Sequence, residues 1–115
     1  MHEMSIAESL FEIVMDTIKK EYQVTKVEAV DLRIGKLRAV IPENLTFCFE
    51  VICRGTEVEG AELRIEEVPV RVSCVDCREE AVKIDPIFLC SKCGSPRLDL
   101  LSGKELEINA IEVME

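Results

Sequence analysis

The sequence predicts an α+β fold, a small sheet of about three strands with two helices, plus an inserted module held by four cysteines. Apolar residues recur at helical spacing in two segments and alternate with polar residues in three others. Two Cys-x2-Cys pairs, Cys74/Cys77 and Cys90/Cys93, are separated by twelve residues. These patterns place the cysteine module between the second and third predicted strands.

The two cysteine pairs have the spacing of a structural zinc site. Four thiolates on two tight turns satisfy tetrahedral zinc at about 2.3 Å and leave no open position for chemistry. Two disulfides would need an oxidising compartment, and a dithiol redox centre would need a neighbouring βαβ pattern. Iron fits the same cage and stays open. The spacing therefore favours a closed four-cysteine zinc ribbon, which metal binding would fold.

Helix 1 is predicted from about Ser5 to Glu21. Ser5 and Glu8 form a capping-box pattern at its start. Its apolar stripe consists of Ile6, Leu10, Ile13, Val14 and Ile18. This stripe predicts a helix with one buried face.

Helix 2 is predicted to begin at Pro42, which suits a first helical position, and to end before Gly55, a plausible cap. Its core stripe is Leu45, Phe49 and Ile52. Cys48 and Cys53 lie five residues apart, a spacing that does not place them on one helix face. We interpret both as buried or half-buried thiols.

Three segments alternate with the period of a strand. Their apolar residues are Val30, Leu32 and Ile34 before Gly35, then Ala61, Leu63 and Ile65, then Leu106 and Ile108. Ala110-Ile111 breaks the last alternation, which predicts a bulge there. We expect residues 1–70 and 101–115 to form one domain and residues 71–100 the zinc-ribbon domain.

Composition, charge and the absence of certain motifs argue against several classes of function. The chain has 115 residues and a net charge of −9, yet the basic and acidic residues of segment 71–100 cancel. A protein that binds nucleic acid needs a basic face. The neutral charge of segment 71–100 therefore argues against a nucleic-acid adaptor. The sequence shows neither a membrane span nor a signal peptide, which predicts a cytoplasmic protein. It also shows no acid–base pair, no nucleophile with a partner histidine and no phosphate loop, so we do not expect an enzyme.

The opening residues Met1-His2-Glu3 contain the only histidine. An α-amine, backbone amides and an imidazole can offer several nitrogen donors in one plane, an arrangement that suits Ni(II) or Cu(II). Glu3 could add a carboxylate ligand or orient the imidazole. Many chains begin Met-His without binding metal, so both interpretations stay open on these residues alone.

The whole chain resembles the hydrogenase nickel-incorporation accessory proteins, the HypA/HybF family. The resemblance covers Met1–Ala7, Arg33–Gly35, Pro42-Glu43, Phe47–Val51, Gly55-Thr56, Glu59–Ala61, Ile65–Pro69, the two cysteine pairs, Cys93–Ser95 and Ser102–Leu106. The pieces occur in the same order as in the family, and they are specific jointly rather than singly.

The resemblance implies a nickel metallochaperone for maturation of [NiFe]-hydrogenase and, in some members, of urease. It places nickel on His2, with the Met1 amine and Glu3 as lesser candidates, and zinc on Cys74, Cys77, Cys90 and Cys93. Its implied partners are a HypB-type GTPase and the hydrogenase large-subunit precursor, with the chain itself a monomer or weak homodimer. Two features differ: some members of the family have a histidine in or near the zinc module, which this sequence lacks, and Arg78 replaces the usual glycine after the first cysteine pair.

Two other classes of protein remain as alternatives. A rubredoxin-like electron carrier would need iron in the cysteine cage, and a colourless protein as isolated would count against it. A zinc-ribbon adaptor for proteins or nucleic acids would act without nickel transfer. An adaptor for nucleic acid would show salt-dependent binding to DNA or RNA.

Overall fold

The computed structural model describes residues 3–21, 24–84 and 87–114. The helices are α1 (Glu3–Lys19) and α2 (Pro42–Cys53), with a one-turn 3-10 helix at Lys36–Arg38. The strands are β1 (Lys26–Gly35), β2 (Glu62–Val68), β3 (Val70–Cys74), β4 (Glu80–Lys83), β5 (Leu98–Ser102) and β6 (Leu106–Met114). Neither α-helix in these ranges combines the length and the apolar character that crossing a membrane requires.

The strands form two three-stranded sheets. The first has the order β2-β1-β6, with β1 parallel to β2 and antiparallel to β6. The second has the order β4-β3-β5 and is antiparallel throughout. The predicted fold class is confirmed, because the first sheet combines three strands with two helices and the four-cysteine segment is inserted between β2 and β6.

The main core lies between the two α-helices and β1. Its buried residues include Ile6, Ala7, Leu10, Val14 and Ile18 of α1, Leu45, Phe49 and Cys53 of α2, and Val27, Val30, Leu32 and Ile34 of β1. The outward-facing side of the first sheet is charged, with Asp31 and Arg33 of β1 half-buried among ion pairs. This sheet thus has one apolar and one polar face, as its alternation predicts.

Both ends of α1 differ from the predicted positions at about Ser5 and Glu21. In the described part of the chain the helix already includes Glu3, so Ser5 and Glu8 lie inside it and do not form a cap at its start. At the other end the helix stops at Lys19 instead of Glu21, because the next two N–H groups bond to carbonyls three residues back, at 3.3 and 3.1 Å. Such bonds to the third preceding residue make the last turn a 3-10 turn, which is common at the end of an α-helix.

The ends of α2 agree with the prediction. Pro42 is its first residue, and Gly55, with φ +78°, follows the C-cap residue Arg54. Leu45 and Phe49 are buried, whereas Ile52 is half-buried against the same core.

Two irregularities interrupt the pairing of β1 with β6. On β1 the extra residue is Glu28, which lies between paired positions Val27 and Ala29. On β6 the extra residue is Asn109. The bulge predicted at 110–111 therefore lies one residue earlier, at Asn109. The pairs on either side of it, Leu32 with Ile108 and Asp31 with Ala110, stay in register.

The end of β1 lies against the segment that joins the two sheets. A Cβ atom on Gly35 would lie 1.9 Å from the carbonyl oxygen of Gly103, so no larger residue fits there. The N–H of Gly35 donates to the carbonyl of Glu105 at 2.7 Å, and the N–H of Leu37 donates to that of Gly103 at 2.9 Å. These contacts fix where the chain returns from the second sheet to the first.

Candidate metal centre

Four cysteine sulfurs meet at one end of the second sheet. Cys74 is the last residue of β3, Cys77 follows in a turn, and Cys90 and Cys93 lie on a second turn before β5. The four Sγ atoms all lie within 4.8 Å of one another. The structure thus brings together all four residues that the spacing singled out.

The two turns have the same backbone geometry. The N–H of Cys77 points at Cys74 Sγ and the N–H of Cys93 at Cys90 Sγ, each at 3.5 Å. The residue after each pair donates its N–H to the carbonyl of the first cysteine, at 2.9 Å from Arg78 and 2.8 Å from Gly94. Both residues have positive φ, +63° and +77°. Each turn therefore directs two sulfurs to the same side.

The sulfur positions fit a tetrahedral metal ion. Zinc–sulfur bonds of about 2.3 Å imply sulfur–sulfur edges of about 3.8 Å. The Sγ atoms of Cys74 and Cys93 lie 3.6 Å apart, and those of Cys77 and Cys90 also lie 3.6 Å apart. Four thiolates would complete the coordination, so the arrangement suits a structural ion and offers no position for a substrate.

Backbone N–H groups favour the thiolate form of one cysteine in each pair. The pKa of Cys90 is lowered to about 6, mainly by the backbone N–H of Cys93 and then by that of Lys92. The pKa of Cys74 is lowered in the same way, first by the N–H of Cys77. Because metals bind the thiolate form, these N–H groups favour the ligand state of the two buried sulfurs.

Ion pairs between charged side chains link the two cysteine turns. Lys92 Nζ lies 2.9 Å from Glu79 Oε1, and Arg97 Nη1 lies 3.1 Å from Asp76 Oδ1. The hydroxyl of Ser95 also donates to the Asp76 carboxylate. Because these pairs are exposed to solvent, their attraction is screened and contributes little to stability, so they orient the turns rather than hold them closed.

The sequence alone did not predict these ion pairs and the hydrogen bond between the two cysteine turns. A signal was available, because the acidic Asp76 and Glu79 lie within or near the first cysteine pair and the basic Lys92 and Arg97 lie within or near the second. Their pairing across the two turns depends on how the turns face each other, which residue spacing does not specify.

Of the three N-terminal candidates, Met1 and His2 lie outside the described residues. Glu3 is described, and its Oε2 accepts a hydrogen bond from the backbone N–H of Ile41 at 3.3 Å. In the described ranges, the four cysteines form the sole group whose ligand atoms cluster as a metal site requires. Glu3 therefore does not join a metal cluster within the part of the chain that is described.

The remaining cysteines are confirmed as buried or half-buried thiols. Cys53 is buried and Cys48 is intermediate. Burial raises the pKa of the Cys53 thiol to about 11, so it stays protonated and unreactive near neutral pH.

Comparison with known proteins identifies the family. A family model described as "Hydrogenase/urease nickel incorporation, metallochaperone, hypA" matches residues 1–113. The chain is 45% identical over 115 residues to the hydrogenase maturation factor HypA of Desulfatibacillum aliphaticivorans, covering all of this chain and 88% of that one. It is 46% identical over 112 residues to the factor of the same name from Streptomyces avermitilis, covering 96% and 86% of the two chains.

Solved structures show the same fold. The solution structure of the Ni metallochaperone HypA from Helicobacter pylori matches with a TM-score of 0.68 at 28% identity, covering 99% of this chain and 98% of that chain. A second solution structure of a HypA protein matches with a TM-score of 0.69, also at 28% identity, covering 98% and 96%. With a family match over residues 1–113 and relatives above 40% identity, the chain belongs to the HypA family of hydrogenase and urease nickel-incorporation metallochaperones, which are not enzymes.

Proposed function

We propose that this protein binds Ni(II) at its N-terminus and delivers it for the maturation of [NiFe]-hydrogenase, with urease as a second candidate recipient. The observation that carries the proposal is the match of residues 1–113 to a family described by nickel incorporation. His2 is the proposed principal ligand, with the Met1 amine and Glu3 as lesser candidates. Nitrogen donors in one plane suit Ni(II). A few exchangeable donors at a chain end can also release the ion to a tighter site.

The four clustered cysteines are the proposed ligands of a structural zinc ion. Their sulfur separations fit zinc, and a closed four-thiolate site has no exchangeable position. We expect this ion to stay bound while nickel is delivered. On this proposal, residues 1–70 and 101–115 form the nickel-binding domain, and residues 71–100 form the zinc-ribbon domain.

The proposed partners follow from the delivery role. A HypB-type GTPase would supply the nucleotide chemistry, and the precursor of the hydrogenase large subunit would receive the metal. We further propose that the chain acts in the cytoplasm as a monomer or weak homodimer. Relatives named hydrogenase maturation factors support a place within that machinery.

The decisive experiment is a calorimetric Ni(II) titration of tag-free, zinc-loaded protein. We expect near-stoichiometric binding with micromolar or tighter affinity, and we expect His2→Ala to abolish it. Ser5→Ala is the matched control, because it changes a nearby residue of α1 that is not a proposed ligand. It should bind like the wild type.

Two results would contradict the proposal. Equal binding by the wild type and His2→Ala would place nickel elsewhere in the molecule. Absence of binding in both would leave a zinc-held adaptor without nickel transfer. Copper should be tested alongside nickel, because nitrogen-rich sites generally bind Cu(II) more tightly than Ni(II).

A further inference from the structure

Strand β6 is an edge of the first sheet, because in the described part of the chain the strand order β2-β1-β6 ends there. The carbonyl of Met114 accepts the N–H of Thr25, just before β1, at 3.0 Å, so it faces the inner side of the sheet. Backbone groups alternate in direction along a strand, so those of Ile111 and Val113 face the open edge. They form a row of donors and acceptors with which another extended strand can pair.

A groove with a volume of about 500 Å³ lies between β6 and the second half of α1. It is lined by Ile108 and Ile111 of β6 and by Ile13 and Ile18 of α1. Ile13 is 51% exposed. The hydroxyl of Thr17, which also lines the groove, donates to the carbonyl of Ile13 at 2.7 Å, so its donor is satisfied within the helix. The groove therefore presents a mainly apolar surface that is open to solvent.

The same residues of β6 contribute to the open edge and to the groove. The side chain of Ile111 packs against the main core, while its backbone faces the open edge. In an antiparallel pair, residues directly opposite each other place their side chains on the same face of the sheet. A strand added along β6 would therefore direct every second side chain into the groove, where it would cover Ile13. Such a strand would need apolar residues at alternate positions.

The opposite face of the sheet is acidic along this edge. Glu107 and Glu112 of β6 lie there, and their side chains stay 50% and 51% exposed although Arg33 and Arg64 bind them. Among the described residues of this face, ion pairs join these two arginines to five carboxylates, so negative charge is in excess. The remaining side chains of an added strand would lie beside Glu107 and Glu112. Positive charge suits those positions.

A second copy of this chain suits the edge less well. If two β6 strands paired antiparallel with Ile108 opposite Ile111, their apolar side chains would share one face. The same register places Glu107 directly opposite Glu112, and the two-fold symmetry repeats this pair. Like charges in such cross-strand pairs are destabilising. The acidic edge therefore favours a basic partner over pairing with itself.

We propose that β6 and the adjacent groove form a docking site for an extended segment of a partner protein, in which apolar residues alternate with lysine or arginine. The segment adds a fourth strand to the first sheet, antiparallel to β6. Its apolar side chains fill the groove beside Ile13, and its cations lie beside Glu107 and Glu112. This role goes beyond nickel binding and does not depend on it.

The test uses zinc-loaded protein without nickel and a synthetic peptide of Val-Lys repeats with blocked ends. We expect calorimetry to detect binding of this peptide and no binding of a Val-Glu peptide of the same length. Binding should slow hydrogen exchange at the amides of Ile111 and Val113. The amides of β2, at the opposite edge of the sheet, should exchange as they do in the free protein.

N-methylation of the peptide tests strand pairing directly. A valine that lies opposite Ile111 directs its N–H toward β6, whereas the lysines direct theirs away. Methylating the valine nitrogens should therefore abolish binding. Methylating the same number of lysine nitrogens should leave the dissociation constant within about threefold of that of the unmodified peptide, because no hydrogen bond to β6 is lost.

Two matched pairs of variants test the groove and the charges. Ile13→Gln should weaken binding of the Val-Lys peptide about fivefold, because an apolar side chain in the groove loses its neighbour. Ile84→Gln changes an exposed isoleucine outside the groove and should bind like the wild type. Glu107→Gln should weaken binding about twofold, whereas Glu59→Gln, which removes the same charge from an exposed turn, should not.

Several results would overturn the proposal. Equal binding of the Val-Lys and Val-Glu peptides would mean that the acidic face has no part in recognition, and unchanged binding after valine methylation would mean that β6 does not pair. Dimerisation of the protein alone in sedimentation, with protection of Ile111, would assign the edge to a second copy. If neither peptide binds, this docking site is wrong while the nickel proposal stands, because the assay contains no nickel.

Discussion

At the scale of single residues, Arg78 has a backbone conformation that favours glycine. Its φ of +63° matches the +77° of Gly94 at the equivalent position of the second cysteine turn. The conformation is required because each N–H must reach the carbonyl of the first cysteine in its turn, at 2.9 Å from Arg78. A residue with a Cβ atom in this region costs about 1–2 kcal/mol relative to a right-handed conformation.

Replacing Arg78 by glycine should therefore stabilise the metal-loaded protein. Relief of the backbone strain is offset in part by the larger entropy of glycine in the unfolded chain, which leaves a gain of about 0.5–1 kcal/mol. Chemical denaturation of the zinc-loaded chain measures the free energy of unfolding. The reciprocal variant Gly94→Ala should lose about 1 kcal/mol, since it introduces the same strain. A loss of stability in Arg78→Gly would show that the Arg78 side chain contributes more than its strain costs.

At the scale of secondary structure, the long elements could be predicted from the sequence and the short ones could not. The two α-helices and β1 carry extended apolar patterns that depend on one shared core, so their period is clear in the sequence. Strands β4 and β5 have only four and five residues and no buried position, so local sequence hardly distinguishes them from loops. The hydrogen bond between Glu3 and Ile41 at the beginning of α1 joins residues 38 positions apart, so local sequence does not predict it.

The second sheet has little apolar core of its own. The buried apolar residues of this sheet and its cysteine turns are Val70, Val72, Cys74 and Cys90, and none of them belongs to the main core cluster. Such a small core does not offset the entropy of ordering β3, β4, β5 and the two turns. On the proposed structural zinc site, metal binding is the main source of stability for this sheet.

Disrupting the cysteine cluster should thus unfold the second sheet alone. Cys77→Ser should lower the zinc content and remove hydrogen-exchange protection from β3, β4 and β5. Protection in β1, β2 and β6 should persist, because their core is separate. Cys48→Ser is the matched control, since it changes a half-buried thiol outside the cluster. Retained protection of the second sheet in zinc-free Cys77→Ser would show that packing, rather than metal, holds it.

In the candidate metal site, features that depend on local spacing could be predicted from the sequence, whereas contacts between distant segments could not. The spacing of Cys74, Cys77, Cys90 and Cys93 was enough to single them out, because each pair acts within one turn. The ion pairs between the turns, such as Lys92–Glu79, depend on the approach of segments 13 residues apart. No period or spacing in the sequence encodes that approach.

At the scale of the whole molecule, acidic charge is distributed over the open face of the first sheet. The chain carries a net charge of −9, and two arginines on this face each bridge several carboxylates. Arg33 bonds to Glu66 at 2.8 Å and to Glu107 at 2.9 Å. Arg64 binds both oxygens of Glu112, at 3.0 and 3.1 Å. The arginines link β1, β2 and β6 across the sheet and offset part of the repulsion among its acids.

These bonds make the stability of the first sheet depend on pH. The side-chain hydrogen bond from Arg64 lowers the pKa of Glu112 below the ordinary glutamate value of 4.5, and backbone N–H groups, with that of Glu105 itself as the largest cause, lower the pKa of Glu105. A carboxylate with a lowered folded-state pKa adds stability above its unfolded pKa. That stability is lost as the pH falls through the folded value. The contribution should therefore be complete at neutral pH and disappear as the pH falls below 4.5.

Glu112→Gln isolates this contribution from the general effect of net charge. Unfolding by denaturant should show the variant to be less stable than the wild type at pH 7, and the difference should vanish in acid once Glu112 is protonated in the folded protein. Glu59→Gln removes the same charge from an exposed turn position and serves as the control. Lower net charge weakens self-repulsion in both variants, so Glu59→Gln should be equal to or slightly more stable than the wild type at neutral pH. Equal effects of the two substitutions at pH 7 would mean that total charge, rather than the Arg64–Glu112 pair, sets the acid stability of this sheet.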